Sequence, residues 1–477
     1  MSYDYYENPL ITRYSSGPMK EIFSEREKVR TMRFVWIALA KAEQAIGLDI
    51  SKDQVHDLET HLDNIDLVEI EQIEKQTKHD VMANVLAYGN HAKLAKPIIH
   101  LGATSCDITD NADLLIYQRA LLILKSRVVT LMKQLAKFAD EYKELPTLGY
   151  THFQAAQLTT VGKRATLWLH DVYKDFKYIE ALLSNIKLKG LKGATGTQAS
   201  YLHLCNNDST KVVQLEQEFA NFLGGLSIEP IASQTYSRKF DYEILSVLSQ
   251  IAQSASKFSN DLRLLQHLKE VEEPFEQNQI GSSAMPYKRN PMKSERITSL
   301  SRYVLSLPIN ASITSSTQWF ERTLDDSANR RIVLPSAFIA VDAILNIYIN
   351  VTKSLVVYPK VIEKHIEEEL PFMMSENILM ESVKLGKDRQ EMHEKLKVIS
   401  MDVSKNIKLM GKDNDLINRL KQDSDFSFLS DYLDQASNAS NYIGLASHQV
   451  SDFLKNYIYP VLEQNKTLEE ITSSVDK

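Results

Sequence analysis

A long stretch without glycine or proline constrains the fold of this chain more than any other feature of its sequence. The stretch covers residues 103–145, and inside it apolar residues recur alternately three and four positions apart. This spacing is the heptad pattern of a helix with one seam packed against other helices. The seam consists of Leu114, Tyr117, Leu121, Leu124, Val128, Leu131, Leu135 and Phe138. The pattern therefore predicts one long helix that needs helical partners.

Three further stretches without glycine or proline, 163–189, 231–273 and 336–358, predict such partners. A helix of about 30 residues would be about 45 Å long. Rods of this length are typical of helical bundles and not of compact α/β domains. We therefore predict an all-α fold built around a central long-helix bundle.

The parts of the chain on either side of these stretches contain shorter helical patterns. Gly47, Gly89, Pro97, Pro371 and Gly386 interrupt them. These breaks predict an N-terminal helical domain over 1–104, a central bundle domain over 105–358 and a C-terminal helical domain over 359–477. Residues 189–200, with three glycines, are interpreted as a loop between bundle helices.

Composition narrows the class of protein. The net charge of -7 and the pI near 6.0 argue against a nucleic-acid partner bound on a broad basic face. Cys106 and Cys205 are too few for a disulfide framework, and the polar N-terminal residues do not resemble a secretion signal. No apolar run is interpreted as long enough to span a membrane. We expect a cytoplasmic protein with no membrane partner.

Residues 281–295, GSSAMPYKRNPMKSE, predict a functional loop. Pro286 and Pro291 each remove a backbone donor and restrict the preceding residue, so the segment cannot be a helix. Hydroxyl groups and cations on a loop carried by a rigid scaffold are typical of binding and catalytic sites. Four other segments are similarly rich in reactive side chains: KHD at 78–80, GATSCDITDN at 102–111, GYTHFQ at 149–154 and WFERTLDDSANRR at 319–331.

Each segment taken alone also has a structural interpretation. His152 fits a hydrogen-bonded structural histidine, and Thr104 with Ser105 fits a helix N-cap. The arginines of the last segment fit a solvated helix face, and Lys288 fits a surface charge. The single segments therefore leave both interpretations open.

The segments together, in this order, resemble the fumarase/aspartase superfamily of homotetrameric lyases. Within it, the tyrosine, lysine, arginine and asparagine of the loop resemble the adenylosuccinate lyase family, as do KHDVMA, HLGATSCDITDN, YTHFQAAQLTTVGKR, GTQAS, QTYSRK and WFERTLDDSANRR. The similarity extends from about Arg13 to the stretch ELPFMMSENILM, and so covers most of the chain. It implies a three-domain fold with a multi-subunit helical core.

The resemblance implies the reaction and its proton-transfer groups. Fumarate would leave adenylosuccinate, giving AMP, or the succinylated aminoimidazole carboxamide ribotide, by cleavage of a carbon–nitrogen bond. His152 is implied as the general acid and Ser282 as the general base. Lys288 would stabilise the serine alkoxide and the carbanion, and Glu295 would orient His152. No metal or organic cofactor is implied, which agrees with a sequence without metal-ligand spacing or a phosphate-binding glycine motif.

The resemblance also implies how the substrate is held. Because the nucleotide carries a phosphate and two carboxylates, we expect a locally cationic pocket. The implied contacts are Arg13, Tyr14, Lys78, His79, Asp80, Thr104, Ser105, Gln234, Asn290, Arg296, Arg322, Ser327 and Arg331. Thr104, Ser105 and Gln234 would hold the succinyl part. The implied homotetramer would build each site from several subunits, with His152 and Ser282 on different ones.

Two positions depart from the family pattern and two other functions stay open. Ala155 stands where proline is common, and Asp107 where an aromatic residue is frequent, so the geometry of both loops is in question. Another lyase of the superfamily, such as argininosuccinate lyase or fumarase, would share the fold. An inactive helical scaffold would share it too, but it would not need to retain His152, Ser282 and Lys288.

Overall fold

The computed structural model describes residues 4–276, 279, 284–435 and 438–468. Its N-terminal part begins with a π-turn at Leu10–Tyr14 and continues in short and medium helices. They are α1 (Gly17–Ile22), α2 (Glu25–Ala45), α3 (Lys52–Thr60), α4 (Leu67–Thr77) and α5 (Asp80–His91). Ser and Asp side chains cap several of them, as at Ser24, which accepts a hydrogen bond from the backbone of Glu27.

Long helices form the centre, as the sequence predicts. The central helices are α6 (Ser105–Glu141), α7 (Val161–Asn185), α8 (Ala199–Leu204), α9 (Ser209–Phe222), α10 (Lys239–His267), α11 (Met292–Leu305), α12 (Pro308–Ser316) and α13 (Asp326–Thr352). Every residue of the predicted heptad seam on α6 is buried, and from Tyr117 to Phe138 the seam lies in the main hydrophobic core. The prediction of a long helix with one packed seam is therefore confirmed.

The C-terminal part is again made of shorter helices. They are α14 (Pro359–Met373), α15 (Ser375–Lys384), α16 (Arg389–Met410), α17 (Leu416–Gln422), α18 (Ser430–Gln435), α19 (Ala446–Phe453) and α20 (Tyr459–Gln464). Two 3₁₀ turns, Ser427–Leu429 and Ala439–Tyr442, and a π-turn at Leu454–Ile458 join them. Apolar residues of α14, α16, α17 and α19 belong to the same core as the central helices.

Four short strands accompany the helices. β1 (Pro146–Thr151) and β2 (Gln154–Thr160) form an antiparallel hairpin with an irregularity between Gly149 and Tyr150. A side chain on Gly149 would place its Cβ 2.7 Å from the carbonyl oxygen of Gln157, so the close approach of the strands requires glycine there. β3 (Val271–Glu272) pairs with β4 (Val356–Val357). The fold is all-α apart from these elements.

Helices α6, α10 and α13 share one direction, whereas α7 returns from the end of α6, so the bundle has two distinct ends. At the proximal end, where α6, α10 and α13 begin, Arg238 joins Asp110 of α6 to Asp326 of α13. At the distal end, β3 follows α10, β4 follows α13, and the two strands pair. The β1–β2 hairpin joins the end of α6 to the start of α7 and contacts α14, so it also lies distally.

A second hydrophobic core lies beside the proximal end. It combines residues of α2 to α5 with the first turns of α6 and with residues 188–223. Residues 189–198 form a loop, as predicted, but this loop does not join two bundle helices, because α8 and α9 after it belong to the second core and α9 packs on α2. The boundaries drawn at 104 and 358 stay a prediction.

Helix α13 corrects two further expectations. It begins at Asp326, not after Pro335. Pro335 therefore lies inside the helix, four residues after Arg331. A proline there removes the hydrogen bond to the Arg331 carbonyl, a loss that the surrounding packing offsets. By length and composition α13 is also apolar enough to cross a membrane, so the expectation that no such run exists is wrong. Because 78% of its apolar window is buried inside the protein, α13 is a core helix.

Candidate active site

A cavity of about 720 Å³ opens at the proximal end of the bundle. This volume lies within the range of about 300–1,000 Å³ found for small-molecule sites. The cavity lies between α2, the α4–α5 junction and the first turns of α6 and α13. Eight residues singled out from the sequence line it: Lys78, His79, Asp80, Ser105, Gln234, Arg322, Ser327 and Arg331. Segments more than 200 residues apart in the chain thus meet at one place.

The junction between α4 and α5 supplies three of these residues because the chain turns sharply there. Lys78 ends α4 in the left-handed conformation, with φ of 55°. His79 is the N-cap of α5, and its Nδ1 accepts a hydrogen bond from the Met82 N–H at 3.3 Å. Since Nδ1 is an acceptor, the proton of the neutral imidazole is on Nε2. Asp80 then begins the helix.

Asp80 and Arg331 close one side of the cavity with an ion pair. Their Oδ2 and NH2 atoms are 2.6 Å apart. Burial alone would raise the pKa of Asp80, but hydrogen bonds from Arg331 and from the Val81 N–H outweigh it and hold the pKa below its usual value. Asp80 therefore stays ionised and orients the guanidinium.

The floor of the cavity is a chain of buried ion pairs around Arg238. Its guanidinium binds both oxygens of Asp110 at 3.1 and 3.2 Å and Oδ2 of Asp326 at 2.7 Å. Arg322 adds a bond of 2.8 Å to the other oxygen of Asp326. Such paired and hydrogen-bonded charges hold the starts of α6, α10 and α13 in register.

Arg330 extends the floor of the cavity. It acts on two carboxylates of α6, Asp110 and Asp113, whose pKa values are shifted in opposite directions. It binds Asp241 at 2.6 Å and reaches Asp113 at 3.4 Å. Burial raises the pKa of Asp113 above its usual value. Burial acts in the same direction on Asp110, but the cations Arg238 and Arg330 overcome it and lower the pKa of Asp110. Two carboxylates one turn apart thus differ in acidity, because Arg238 binds both oxygens of Asp110 directly, whereas Arg330 lies 3.4 Å from Asp113.

The cavity of a single chain carries as many carboxylates as cations, so the expectation of a locally cationic pocket in the complete site stays a prediction. Its six cations are Lys28, Lys78, Arg238, Arg322, Arg330 and Arg331, and its six carboxylates are Glu25, Glu74, Asp80, Asp110, Asp113 and Asp326. Ion pairs occupy the four arginines. Among the described residues, Lys28 and Lys78 form no ion pair with a carboxylate. These two amines are the charges open to an anionic ligand.

The start of α6 faces the cavity with Ser105 and Cys106. Thr104 is the N-cap residue of the helix, as the structural interpretation of the sequence predicts, and it does not line the cavity. The Cys106 thiol lies 3.7 Å from the side-chain oxygen of Gln234. Burial raises the pKa of this thiol to about 11, so it is a protonated donor at neutral pH.

Three of the implied catalytic residues, His152, Lys288 and Glu295, lie away from the cavity, at the distal end. His152 is in the turn of the β1–β2 hairpin, solvent-exposed and with φ of 53°. Lys288 is also exposed. Glu295, in the first turn of α11, lies 3.9 Å from Arg263 in its own chain. Ser282 lies outside the described residues, and Asn290 is half-buried just before α11.

Arg13, Tyr14 and Arg296 also lie outside the cavity. Arg296 on α11 lies over the Tyr14 ring, 5.5 Å from its centroid. Arg13 is exposed beside them. None of the three lines the cavity. One chain therefore separates the sequence-predicted residues that line the cavity from those that lie away from it.

Sequence reasoning missed several cavity residues. Arg238, Asp110 and Arg330 belong to the quoted motifs, but the sequence does not show which residues they form ion pairs with. For Tyr117 the sequence indicated only a place in the heptad seam. For Lys28 it indicated only one of the alternating charges of α2. Within the part of the chain that the structure describes, no group of three or more His, Cys, Asp or Glu side chains could hold a metal ion.

Comparison with known proteins places these observations in a family. Residues 12–306 match a family described as Lyase, and residues 371–453 match one described as Adenylosuccinate lyase C-terminus. The chain is 45% identical over 470 residues to an adenylosuccinate lyase of Schizosaccharomyces pombe, with 98% of this chain and 97% of that protein covered. It is 47% identical to one of Saccharomyces cerevisiae, over 97% and 96% of the two chains.

Solved structures agree on the fold. A fumarate lyase from Mesorhizobium sp. BNC1 has a TM-score of 0.80 at 21% identity, covering 95% of this chain and 100% of that one. A 3-carboxy-cis,cis-muconate lactonizing enzyme from Pseudomonas putida has a TM-score of 0.81 at 22% identity, with 97% and 100% covered. These likenesses show the fold alone. The identity of 45–47% to the two yeast proteins, over nearly the whole of each chain, shows that this chain belongs to the adenylosuccinate lyase family.

Proposed function

We propose that this protein cleaves adenylosuccinate to AMP and fumarate, and the succinylated aminoimidazole carboxamide ribotide to its free carboxamide and fumarate, in cytoplasmic purine nucleotide biosynthesis. The observation that carries the proposal is the identity of 45–47% to adenylosuccinate lyases over nearly the whole chain. The cavity supports it, because its polar lining and volume suit a nucleotide.

The cavity offers distinct groups for the distinct parts of such a substrate. Lys28 and Lys78 are cations without a carboxylate partner among the described residues, and Arg331 can turn its guanidinium from Asp80 toward a phosphate or carboxylate. Ser105 and Gln234 supply neutral donors suited to the succinyl carboxylates. Arg13, Tyr14, Asn290 and Arg296 would complete the binding groups from other parts of the assembly.

The elimination needs one proton removed and one supplied. Ser282 would take the proton beside the succinyl carboxylate, and His152 would protonate the leaving nitrogen. Lys288, on the same loop as Ser282, would stabilise the serine alkoxide and the negative charge that develops on the carboxylate. Glu295 would orient His152. The products are fumarate and the amine, so atoms and charges balance without an external oxidant or reductant.

A composite site in a homotetramer follows from the distances within one chain. His152 and Lys288 lie at the distal end, whereas Ser105, Gln234 and Arg331 line the cavity at the proximal end. Subunits packed with their long helices antiparallel would bring the distal loops of one chain to the proximal cavity of another. This arrangement would also add cations to a cavity whose own charges balance.

An absorbance assay on the purified protein tests the reaction. Adenylosuccinate should be converted to AMP and fumarate, with neither argininosuccinate cleaved nor fumarate hydrated under the same conditions. Turnover of one of those two compounds in place of adenylosuccinate would identify a different lyase of the superfamily. A folded protein without turnover of any of them would indicate an inactive scaffold.

A further inference from the structure

Asp107 and Lys189 form a buried ion pair behind the cavity wall. Both side chains have no exposed surface, and Lys189 Nζ lies 2.5 Å from Asp107 Oδ1. Asp107 follows Ser105 by two residues in the first turn of α6, and Lys189 lies in the loop after α7. A buried ion pair is poor evidence for stability, because desolvation offsets the attraction between the charges. The role of this ion pair is therefore inferred from the other contacts that Asp107 and Lys189 make.

The Asp107 carboxylate is a hub that ties the start of α6 to the loop after α7. Besides Lys189, its Oδ1 accepts hydrogen bonds from the backbone N–H groups of Lys192 at 3.0 Å and Gly193 at 3.2 Å. Its Oδ2 accepts from the Thr104 N–H and from the Tyr201 hydroxyl, both at 3.0 Å. The carboxylate thus has four donors in addition to the lysine.

Lys189 carries the connection onward to Gln234. Its ammonium donates a second hydrogen bond to the Gln234 carbonyl oxygen at 3.1 Å. The Gln234 side chain in turn donates from Nε2 to the Ala194 carbonyl at 2.9 Å. One ammonium therefore bridges the helix that carries Ser105 and the segment that carries Gln234, although these segments are far apart in sequence.

We propose that Lys189, through Asp107 and the Gln234 carbonyl, is a positioning residue that sets the separation of Ser105 and Gln234 across the cavity. This inference rests on the proposed function, in which these two residues hold the succinyl part of the substrate. Neither Lys189 nor Asp107 lines the cavity, so the ion pair acts through its neighbours. Displacement of a binding group by about 1 Å can cost up to about a hundredfold in rate.

The variant Lys189→Met tests this role. Methionine keeps the length of the side chain and removes its charge and donors, while Asp107 retains its four other donors, so the fold should survive. We expect the KM for adenylosuccinate to rise about tenfold or more and kcat to stay within about threefold, since the displaced groups bind substrate and move no proton. Lys189→Arg keeps charge and donors, and should restore much of the KM.

Lys192→Met is the matched control. Lys192 is three residues further along the same loop, is similarly buried, and pairs with Glu216 at 2.8 Å. Among the described residues, its side chain forms no hydrogen bond or ion pair with Gln234. This variant should lose thermal stability to a similar degree but keep a wild-type KM. If circular dichroism shows that Lys189→Met does not fold, Lys189→Gln replaces it, because glutamine keeps an amide donor for Asp107. The same rise in KM is expected.

A double-mutant cycle separates positioning from general destabilisation. In a Gln234→Ala background, Lys189→Met should raise KM much less than in the wild type, because one of the two positioned side chains is already missing. If the two substitutions raise KM independently, so that their effects multiply, or if Lys189→Met leaves KM unchanged, the positioning role is overturned. The proposed function would still stand if the wild-type protein is active on adenylosuccinate. Wild-type protein inactive on adenylosuccinate would overturn both.

Discussion

Ser105 and His152 lie at opposite ends of the bundle, although they are less than 50 residues apart in the chain. Helix α6 begins at Ser105 and runs for 37 residues before the hairpin that carries His152. At 1.5 Å per residue the helix is about 55 Å long. A side chain cannot span this distance, so the two residues can act on one substrate only if they belong to different subunits.

Subunit exchange provides a test of this shared site. His152→Ala and Ser282→Ala proteins, each nearly inactive alone, should regain activity when mixed under conditions that allow exchange. With random assortment of equal amounts, about one site in four would hold both intact residues, so recovery should approach roughly a quarter of wild-type activity.

The measurement is kcat per active site after exchange, with each single variant incubated alone as the control. Sedimentation must show that labelled subunits have mixed. No recovery despite mixing, or a fully active monomer, would contradict the shared site while leaving the reaction itself untouched.

Arg331 should contribute to substrate binding more than to stability. Its side chain is 56% exposed at the cavity, and its pair with Asp80 is accessible to solvent. Arg331→Ala should therefore raise the KM for adenylosuccinate about tenfold or more, with little change in the unfolding midpoint. Steady-state kinetics and thermal unfolding provide the two readouts.

Arg419→Ala is its matched control. Arg419 pairs with Asp402 at 2.6 Å in the C-terminal part, away from the cavity. That variant should keep the wild-type KM. If Arg331→Ala behaves in the same way, Arg331 is a surface charge.

Glu43 should make stability depend on pH. Its side chain on α2 is fully buried, neither carboxylate oxygen has a hydrogen-bond partner among the described residues, and burial raises its pKa to about 9. The native state therefore holds a proton that the unfolded state releases above about pH 4.5. Because the unfolded state binds fewer protons in that window, stability falls as pH rises toward 9.

Replacing Glu43 with glutamine should remove this dependence. The stability of Glu43→Gln relative to wild type should increase by up to about 1.4 kcal/mol per pH unit between these limits. Urea unfolding at pH 5.5 and pH 8 measures the change. Glu367→Gln, at an exposed glutamate, is the control and should follow wild type; a difference between Glu43→Gln and wild type that does not vary with pH would refute the assignment.

The buried pair of Arg127 and Asp342 should be essential to the bundle. Their side chains are 1% and 0% exposed, with the Nε and Oδ1 atoms 2.5 Å apart. Arg127→Met leaves the Asp342 charge without its cation and should cost about 3–5 kcal/mol in the free energy of unfolding. Lys360→Met removes a surface pair with Glu363 and should have no measurable effect.

A second replacement checks the cause of that loss. Arg127→Met combined with Asp342→Leu should recover part of the stability, because no buried charge then remains unpaired. Denaturant midpoints for the single and double variants would show this. A double variant less stable than Arg127→Met alone would mean that Asp342 acts mainly through its other hydrogen bonds, such as the one from the Ser16 N–H at 3.1 Å.

Local pattern was sufficient where neighbouring residues decide the structure. The heptad seam from Leu114 to Phe138 determines both the helical state of α6 and the face it buries, and all of its residues are buried. The same reasoning failed at Pro335. A proline is a helix breaker by local propensity, but packing of the long apolar helix α13 offsets one missing hydrogen bond.

The balance of charges in the cavity could be determined only from the tertiary structure. The anionic groups of the implied substrate led to the expectation of a cationic pocket, to which the arginines of the 319–331 segment would contribute. The carboxylates that pair with Arg238, Arg322 and Arg331 come from α5, α6 and α13, and only packing brings them within hydrogen-bond distance. Ion pairs depend on spatial proximity, which residue order does not encode directly.

The sequence by itself determined the all-α class, the long helices, the family and the segments that carry reactive groups, because periodicity and motifs are local properties of the chain. Only the tertiary structure decided which of those segments meet. It gathered Lys78, Ser105, Gln234 and Arg331 in one cavity and separated His152 from them by the length of α6. The physical reason is that rigid helices convert short sequence separations into long distances, while their packing joins residues far apart in the chain.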